Sequence, residues 1–310
     1  MRRNTRDTTG LAVAAAVNGV LAYVFFAVGT RALGPEATAP VSVLWAYWSF
    51  AAAALTFPLQ HWVTRSVTAL GGEGQVRAGI SRIYLVVLMV SAAAGVVAWW
   101  LREPLFRRDD VWFPVLVALV TFGSAYVGIV RGTLAARRRY RSLAWSLVGE
   151  GSIRCGGALL LIAFSWSTSL TMGIVLVVGQ LIGLAWPSTL RFSAAGTRDP
   201  GRSPIAFLGG TASGQLLGQL VLTGAPVLLA LSGGAPRDVT ALFAGLALFR
   251  APYTIGLGVL PRLTTALTGL AVAGRHEELR RVQVRIIAVT AAMLVPVAAG
   301  AAWLGPPLLR

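Results

Sequence analysis

Nine apolar stretches alternate with short connections, most of them arginine-bearing, and that alternation leaves few folds open to the chain. The stretches run approximately over 10–33, 41–60, 83–101, 112–131, 143–164, 170–190, 205–231, 239–260 and 284–304. A helix needs roughly 20 mostly apolar residues to cross a bilayer. In lipid every backbone N–H and C=O must find its partner inside the chain, so spanning segments are helices or closed barrels. Nothing here reads as strand, and no polar tract is long enough for a soluble domain. The fold predicted is all-α: a polytopic integral membrane protein of about nine transmembrane helices. Charged residues make up 12% of the chain, against about 25% in soluble domains. The opening M-R-R-N-T-R resembles the start of a signal peptide. The apolar run behind it continues to about Leu33 and outlasts an h-region of 7–15 residues, which predicts an uncleaved first helix.

The charges fix an orientation. With the N-terminus inside, segments 1–9, 61–82, 131–142, 191–204 and 261–285 face the cytoplasm and hold 19 arginines; the outer segments hold six. Such asymmetry is the positive-inside pattern, and it gives a multi-pass protein with a cytoplasmic N-terminus; all 27 basic residues are arginine, a coding bias that points to a bacterial inner membrane. Tryptophans fall near segment ends, at headgroup level. The net charge of +16 is then a topological signal. Nucleic acid is not expected as a partner, because no basic run carries the interleaved aromatics of single-strand binding; membrane lipid is.

Several chemistries are excluded. No Walker loop is present, and no His/Cys/carboxylate group has metal-ligand spacing. Cys155 is alone, which rules out an intrachain disulfide. His61 and His276 read as loop residues at the interface. Only Glu150 among the acids lies within an apolar segment, leaving no buried carboxylate pair for acid/base work. The chain is therefore expected not to be an enzyme and to need no cofactor or metal.

Residues 18–82 and 215–281 share a rhythm. Asn18 and Gln215, Val41 and Val239, and Arg65 and Arg262 are each separated by 197 or 198 positions. The seventh segment thus repeats the first in the same orientation, as in parallel-repeat transporters. Domain organisation follows: residues 1–197 as an N-terminal six-helix bundle, and 198–310 as three helices of a partial second bundle.

Three short motifs carry a family likeness: L-G-P-E in the first outer connection, R-G-T-L-A-A-R-R-R-Y-R-S-L entering the fifth segment, and L-P-R-L-T after the eighth. They resemble polysaccharide-export flippases of the multidrug/oligosaccharidyl-lipid/polysaccharide exporter superfamily. The resemblance implies two six-helix bundles facing across a cavity. It also implies movement of an undecaprenyl-pyrophosphate-linked glycan between leaflets, with other polysaccharide-assembly membrane proteins as partners. Nine segments are fewer than that family's complement, so the chain is expected to be truncated. An integral-membrane glycan polymerase or glycosyltransferase, a multidrug antiporter of the same superfamily and a non-transporting scaffold are the alternatives.

Four residues are expected to bind substrate. Arg250 lies near the middle of the eighth segment, where a charge costs about 2.5–3.5 kcal/mol and should face a bundle interior or a wet cavity. The family resemblance places a headgroup-gripping arginine in that helix, and a guanidinium binds phosphate oxygens in pairs. Arg154, in the fifth segment, is the second; it is spaced i, i+4 from Glu150, where the two can also form a structural bridge. Asn18 and Gln215 are amides at repeat-related positions that could line the cavity or bond between helices. Glu150 is also the candidate for ion coupling.

Overall fold

The computed structural model describes residues 2–197, 199, 203–249, 251–289 and 291–292. Arg250 lies outside them. Among the described residues there is no strand, and the all-α expectation holds. Helices α1 (Arg2–Leu33), α2 (Pro35–Ala51), α3 (Phe57–Leu70), α4 (Gly74–Trp100), α5 (Arg102–Phe106), α6 (Trp112–Ala136) and α7 (Tyr140–Ala163) come first. They are followed by α8 (Ser169–Val178), α9 (Pro204–Leu231), α10 (Pro236–Phe249) and α11 (Ala251–Val272), and residues 276–289 are helical too. Five helices are long and apolar enough to cross a membrane, or six when the bent α9 is counted as one span.

Helix α6 and the continuous span Pro35–Leu70 form the centre, each with 67% of its apolar window buried, whereas α4 buries 22% of its own. Leu85, Leu88, Met89, Val96 and Trp100 of α4 are exposed, and an apolar helix with so much apolar surface uncovered is suited to lipid. Close approach at the centre depends on small residues. Gly128 and Gly132 of α6 lie against the backbone of Thr56 and Gln60, and Gly151 of α7 lies against Asn18 and Leu21 of α1.

Three departures from regular helix have local causes. Residues Ala52–Thr56 join α2 to α3 as a π-helical turn. Pro58 follows, and a proline has no N–H for the carbonyl four residues back and clashes with it. The Thr56 hydroxyl then reaches out of the span and donates to the Ser124 carbonyl of α6, 2.8 Å away. Pro226 plays the same part in α9, whose two halves, Pro204–Leu220 and Thr223–Leu231, meet at 71°.

The third departure corrects the sixth predicted segment, 170–190. Its α-helical part ends with α8 at Val178, and a 3-10 stretch Gly179–Ala185 and a turn Pro187–Leu190 follow. Gly179 and Gly183 weaken the α-form, and the Arg154 and Tyr126 side chains occupy the space a Cβ would take at each. The 3-10 form rises faster per residue, so Ser169–Ala185 still extends about 29 Å, close to the hydrocarbon thickness. The expected connection 61–82 is also corrected: α3 continues through His61 and Arg65 to Leu70, and α4 starts at Gly74. Apolarity marks where lipid begins, not where a helix stops. The ninth segment, 284–304, lies largely outside the described residues.

The two stretches with a shared rhythm show one order of elements. Helix α1 ends before Gly34 (φ 80°) and a proline-initiated helix, and α9 ends before Gly233 (φ 86°) and another. Gly71 (φ 67°) and Gly274 (φ 69°) close the two units, at positions where left-handed backbone favours glycine. The units also touch. Helix α10 packs on α2 and α11 on α1 and α3; the Phe26 and Phe243 rings are 4.5 Å apart, and the Thr240 hydroxyl donates to the Pro35 carbonyl over 2.7 Å.

Candidate functional site

Charge is scarce in the spans, and three charged groups have gathered. Arg131 near the end of α6 and Glu150 and Arg154 on α7 are all buried. Their close approach requires α6 and α7 to be neighbours, and the tight turn Arg137–Arg139 between them ensures it. One carboxylate oxygen of Glu150 accepts from Arg131 Nη2 at 2.6 Å, and the other accepts from Arg154 Nη2. Arg131 also donates to the Ser146 hydroxyl (3.2 Å) and carbonyl (3.0 Å). Arg154 donates through Nε to the Leu176 carbonyl, 3.2 Å away, where α8 is about to tighten. Its guanidinium lies 4.4 Å from the Trp48 ring centre and 5.4 Å from that of Trp45, a desolvated cation–π geometry.

The cluster carries two positive charges and one negative. A buried pair needs good geometry and extra hydrogen bonds to offset the loss of water, and each member here has them. The expected Glu150–Arg154 pair is present. Each oxygen of Glu150 is engaged by a different arginine, so proton or cation uptake would first have to break a charge-assisted bond. Arg131 is the member that sequence reasoning assigned to the 131–142 connection. Its signal was the unbroken apolar helix before it (V-G-I-V) and the five residues that separate it from the next arginine.

Asn18 is half-buried on α1 and borders Gly151, one position beyond Glu150. The structure therefore brings Asn18, Glu150 and Arg154 into one region. Gln215 is half-buried on α9, a turn before the buried Gln219, whose amide donates to Thr223 Oγ1 at 2.6 Å. Among the described residues, no hydrogen bond or ion pair joins Gln215 to that region. Arg250 lies outside the described residues.

A second ionic group sits at the arginine-rich end. Arg137 donates to both oxygens of Glu73 (2.7 and 3.2 Å) and to the carbonyls of Ser188 and Arg191 (3.0 and 2.8 Å). Glu73 also accepts from the Ser193 backbone N–H at 2.8 Å. Burial would raise the Glu73 pKa, but Arg137 and Ser193 outweigh it and hold the carboxyl below its ordinary value of 4.5. Gly74 N donates to Ala195 O, Thr197 N to Leu70 O, and Gln75 exchanges two bonds with Asp199. The segment after α8 is thus sewn onto the α3–α4 corner. His61, expected in a loop, is on α3, where Nδ1 lies 2.9 Å from the Thr264 hydroxyl of α11. Among the described residues no group of acids, histidines and cysteines could hold a metal ion.

No protein-family model matches the sequence, and no curated protein does. Among solved structures, the chain is similar to one described as "Crystal structure of MATE in the straight conformation". The TM-score is 0.70 at 14% identity, over 98% of this chain and 73% of that one. At that identity the likeness is one of fold, and folds host many functions.

Proposed function

We propose that the chain is a membrane transporter of the exporter superfamily to which MATE proteins belong. Its proposed substrate is a lipid-linked oligosaccharide pyrophosphate, moved from the inner to the outer leaflet by alternating access. The fold supports the transporter reading. The observation that carries the substrate class is the charge balance within the apolar stretches: several arginines, Arg131, Arg154 and Arg250 among them, against Glu150 alone. A surplus of arginine favours an anionic cargo and repels a cationic one. Arg154, tied to Glu150 and capped by Trp48, supplies positive potential rather than a free fork. Arg250 is the proposed grip on the headgroup, with Asn18 and Gln215 as polar cavity positions.

The test is reconstitution of the full chain in vesicles. One assay follows translocation of a lipid pyrophosphate oligosaccharide, and a parallel one follows efflux of a cationic dye. Translocation that is lost in Arg250→Ala and partly kept in Arg250→Lys supports the reading. Dye efflux without lipid translocation replaces it with the multidrug antiporter, with which the likeness to a MATE fold is equally compatible.

A further inference from the structure

The corner between α6 and α7 carries Arg137, Arg138, Arg139 and Arg141, and the structure divides them by role. Arg137 turns inward and is consumed by Glu73, Ser188 and Arg191. Arg138, Arg139 and Arg141 are exposed, and no described acid pairs with them.

The backbone explains the division. Arg139 N–H donates to Leu134 O (2.8 Å) and Arg138 N–H to Ala135 O (2.9 Å), the paired bonds that close a helix through a left-handed residue. That residue is Arg138, at φ 57°, where glycine would be free of strain. The strained turn points consecutive arginines away from the protein. Tyr140 then begins α7, with Arg262 of α11 over its ring at 5.8 Å, which adds positive charge beside the corner. One turn further along α7 from Arg141, Trp145 is 60% exposed. An exposed indole just inside a span end is suited to headgroup level.

Three guanidinium groups with no acid partner among the described residues, beside an indole and at the adjoining ends of two spans, make a phosphate-binding surface with an apolar floor. We propose that this corner, Arg138, Arg139, Arg141 and Trp145, is a docking site for an anionic phospholipid, its phosphodiester held by the arginines and its acyl chains running down past Trp145. A guanidinium fork fits phosphate oxygens, and a juxtamembrane basic cluster is drawn to an anionic leaflet. The site is built from exposed residues at the α6–α7 corner, separate from the buried charge cluster, and does not depend on what the protein transports.

The test uses the full chain in nanodiscs of mixed phosphatidylcholine and phosphatidylglycerol, with retained lipid counted by native mass spectrometry. The wild type should keep phosphatidylglycerol selectively. The Arg138→Gln/Arg139→Gln/Arg141→Gln variant should lose that retention by about tenfold or more, and Trp145→Leu by less. Arg77→Gln/Arg82→Gln, which removes two exposed arginines from α4, should leave it unchanged. Should the triple glutamine variant not fold, the triple lysine variant serves, with weakened retention expected because the charge stays and the fork is lost. Retention unaltered in either triple variant overturns the proposal. An equal loss in the α4 variant also overturns it, because general surface charge would then suffice. Displacement of the lipid by millimolar inorganic phosphate would make the corner a free-phosphate site and refute the lipid assignment.

Discussion

Replacing Gly128 or Gly132 by alanine tests whether the α6 glycines set the distance between the two central helices. A Cβ on Gly128 would lie 2.7 Å from the Thr56 carbonyl oxygen and 2.8 Å from its Cα; one on Gly132 would lie 2.9 Å from Gln60 Cα. Most of these neighbours are backbone, so no side-chain rotation relieves them and the helices must part. Overpacking of this kind costs about 1–3 kcal/mol. It is partly offset by the roughly 0.5–1 kcal/mol that alanine gains over glycine inside a helix. Gly156 on α7 is the control, since a Cβ there meets nothing within 4 Å. Gly156→Ala should therefore be neutral or slightly stabilising. Gly128→Ala and Gly132→Ala should melt several degrees below it, with Gly128→Ala the lower because its contacts are shorter. Thermal unfolding in detergent, followed by tryptophan fluorescence or size-exclusion recovery, reads the order. If Gly128→Ala is as stable as Gly156→Ala, α6 does not press on the π-turn as described and the packing argument fails.

The other expectations are briefer. Glu73→Gln should lower the melting temperature at neutral pH. Because the folded-state pKa of Glu73 is depressed, the wild-type advantage should be complete above about pH 4.5 and vanish as pH falls through the depressed value; a gap independent of pH would count against the clamp. Glu150→Gln leaves two buried guanidinium groups without their shared anion and should cost about 3–5 kcal/mol, seen as lost expression or early unfolding, whereas normal stability would mean the cluster is solvated. Gly179→Ala would place a methyl 2.6 Å from Arg154 Nε, so Arg154 should shift and the fluorescence of its Trp48 partner should change. A cysteine at Ser142 should react with an impermeant reagent only after the membrane is opened, since native Cys155 is buried; labelling of intact cells would invert the orientation.

Much of the helical layout was legible because lipid writes directly into composition. The stretches 10–33, 41–60, 83–101, 112–131 and 143–164 all fall within observed helices or end a residue beyond them. What composition could not show is where helices continue after lipid stops, as at His61 and Arg65 on α3. It also hid the 3-10 stretch, since Gly179 and Gly183 look like ordinary small residues until Arg154 and Tyr126 occupy the space beside them. Within the candidate site, the i, i+4 spacing revealed Glu150–Arg154 because both lie on one helix. Arg131 is 19 positions from Glu150, and only the packing of α6 on α7 joins them. The strap formed by residues 188–197 was equally hidden, since most of its bonds run through backbone carbonyls that any sequence supplies.

The shared carboxylate bears on how the chain enters its membrane. Helix α7 carries an internal neutralising pair, so it could be released into lipid with Arg154 already matched. Helix α6 could not: among the described residues Arg131 finds its anion on α7, and alone in hydrocarbon it would bear a penalty of a few kcal/mol. The two helices are joined by a turn of three residues, Arg137–Arg139, which makes them available to each other as soon as both are synthesised. They should therefore leave the insertion channel together, as one hairpin, with the buried ionic bond formed during biogenesis.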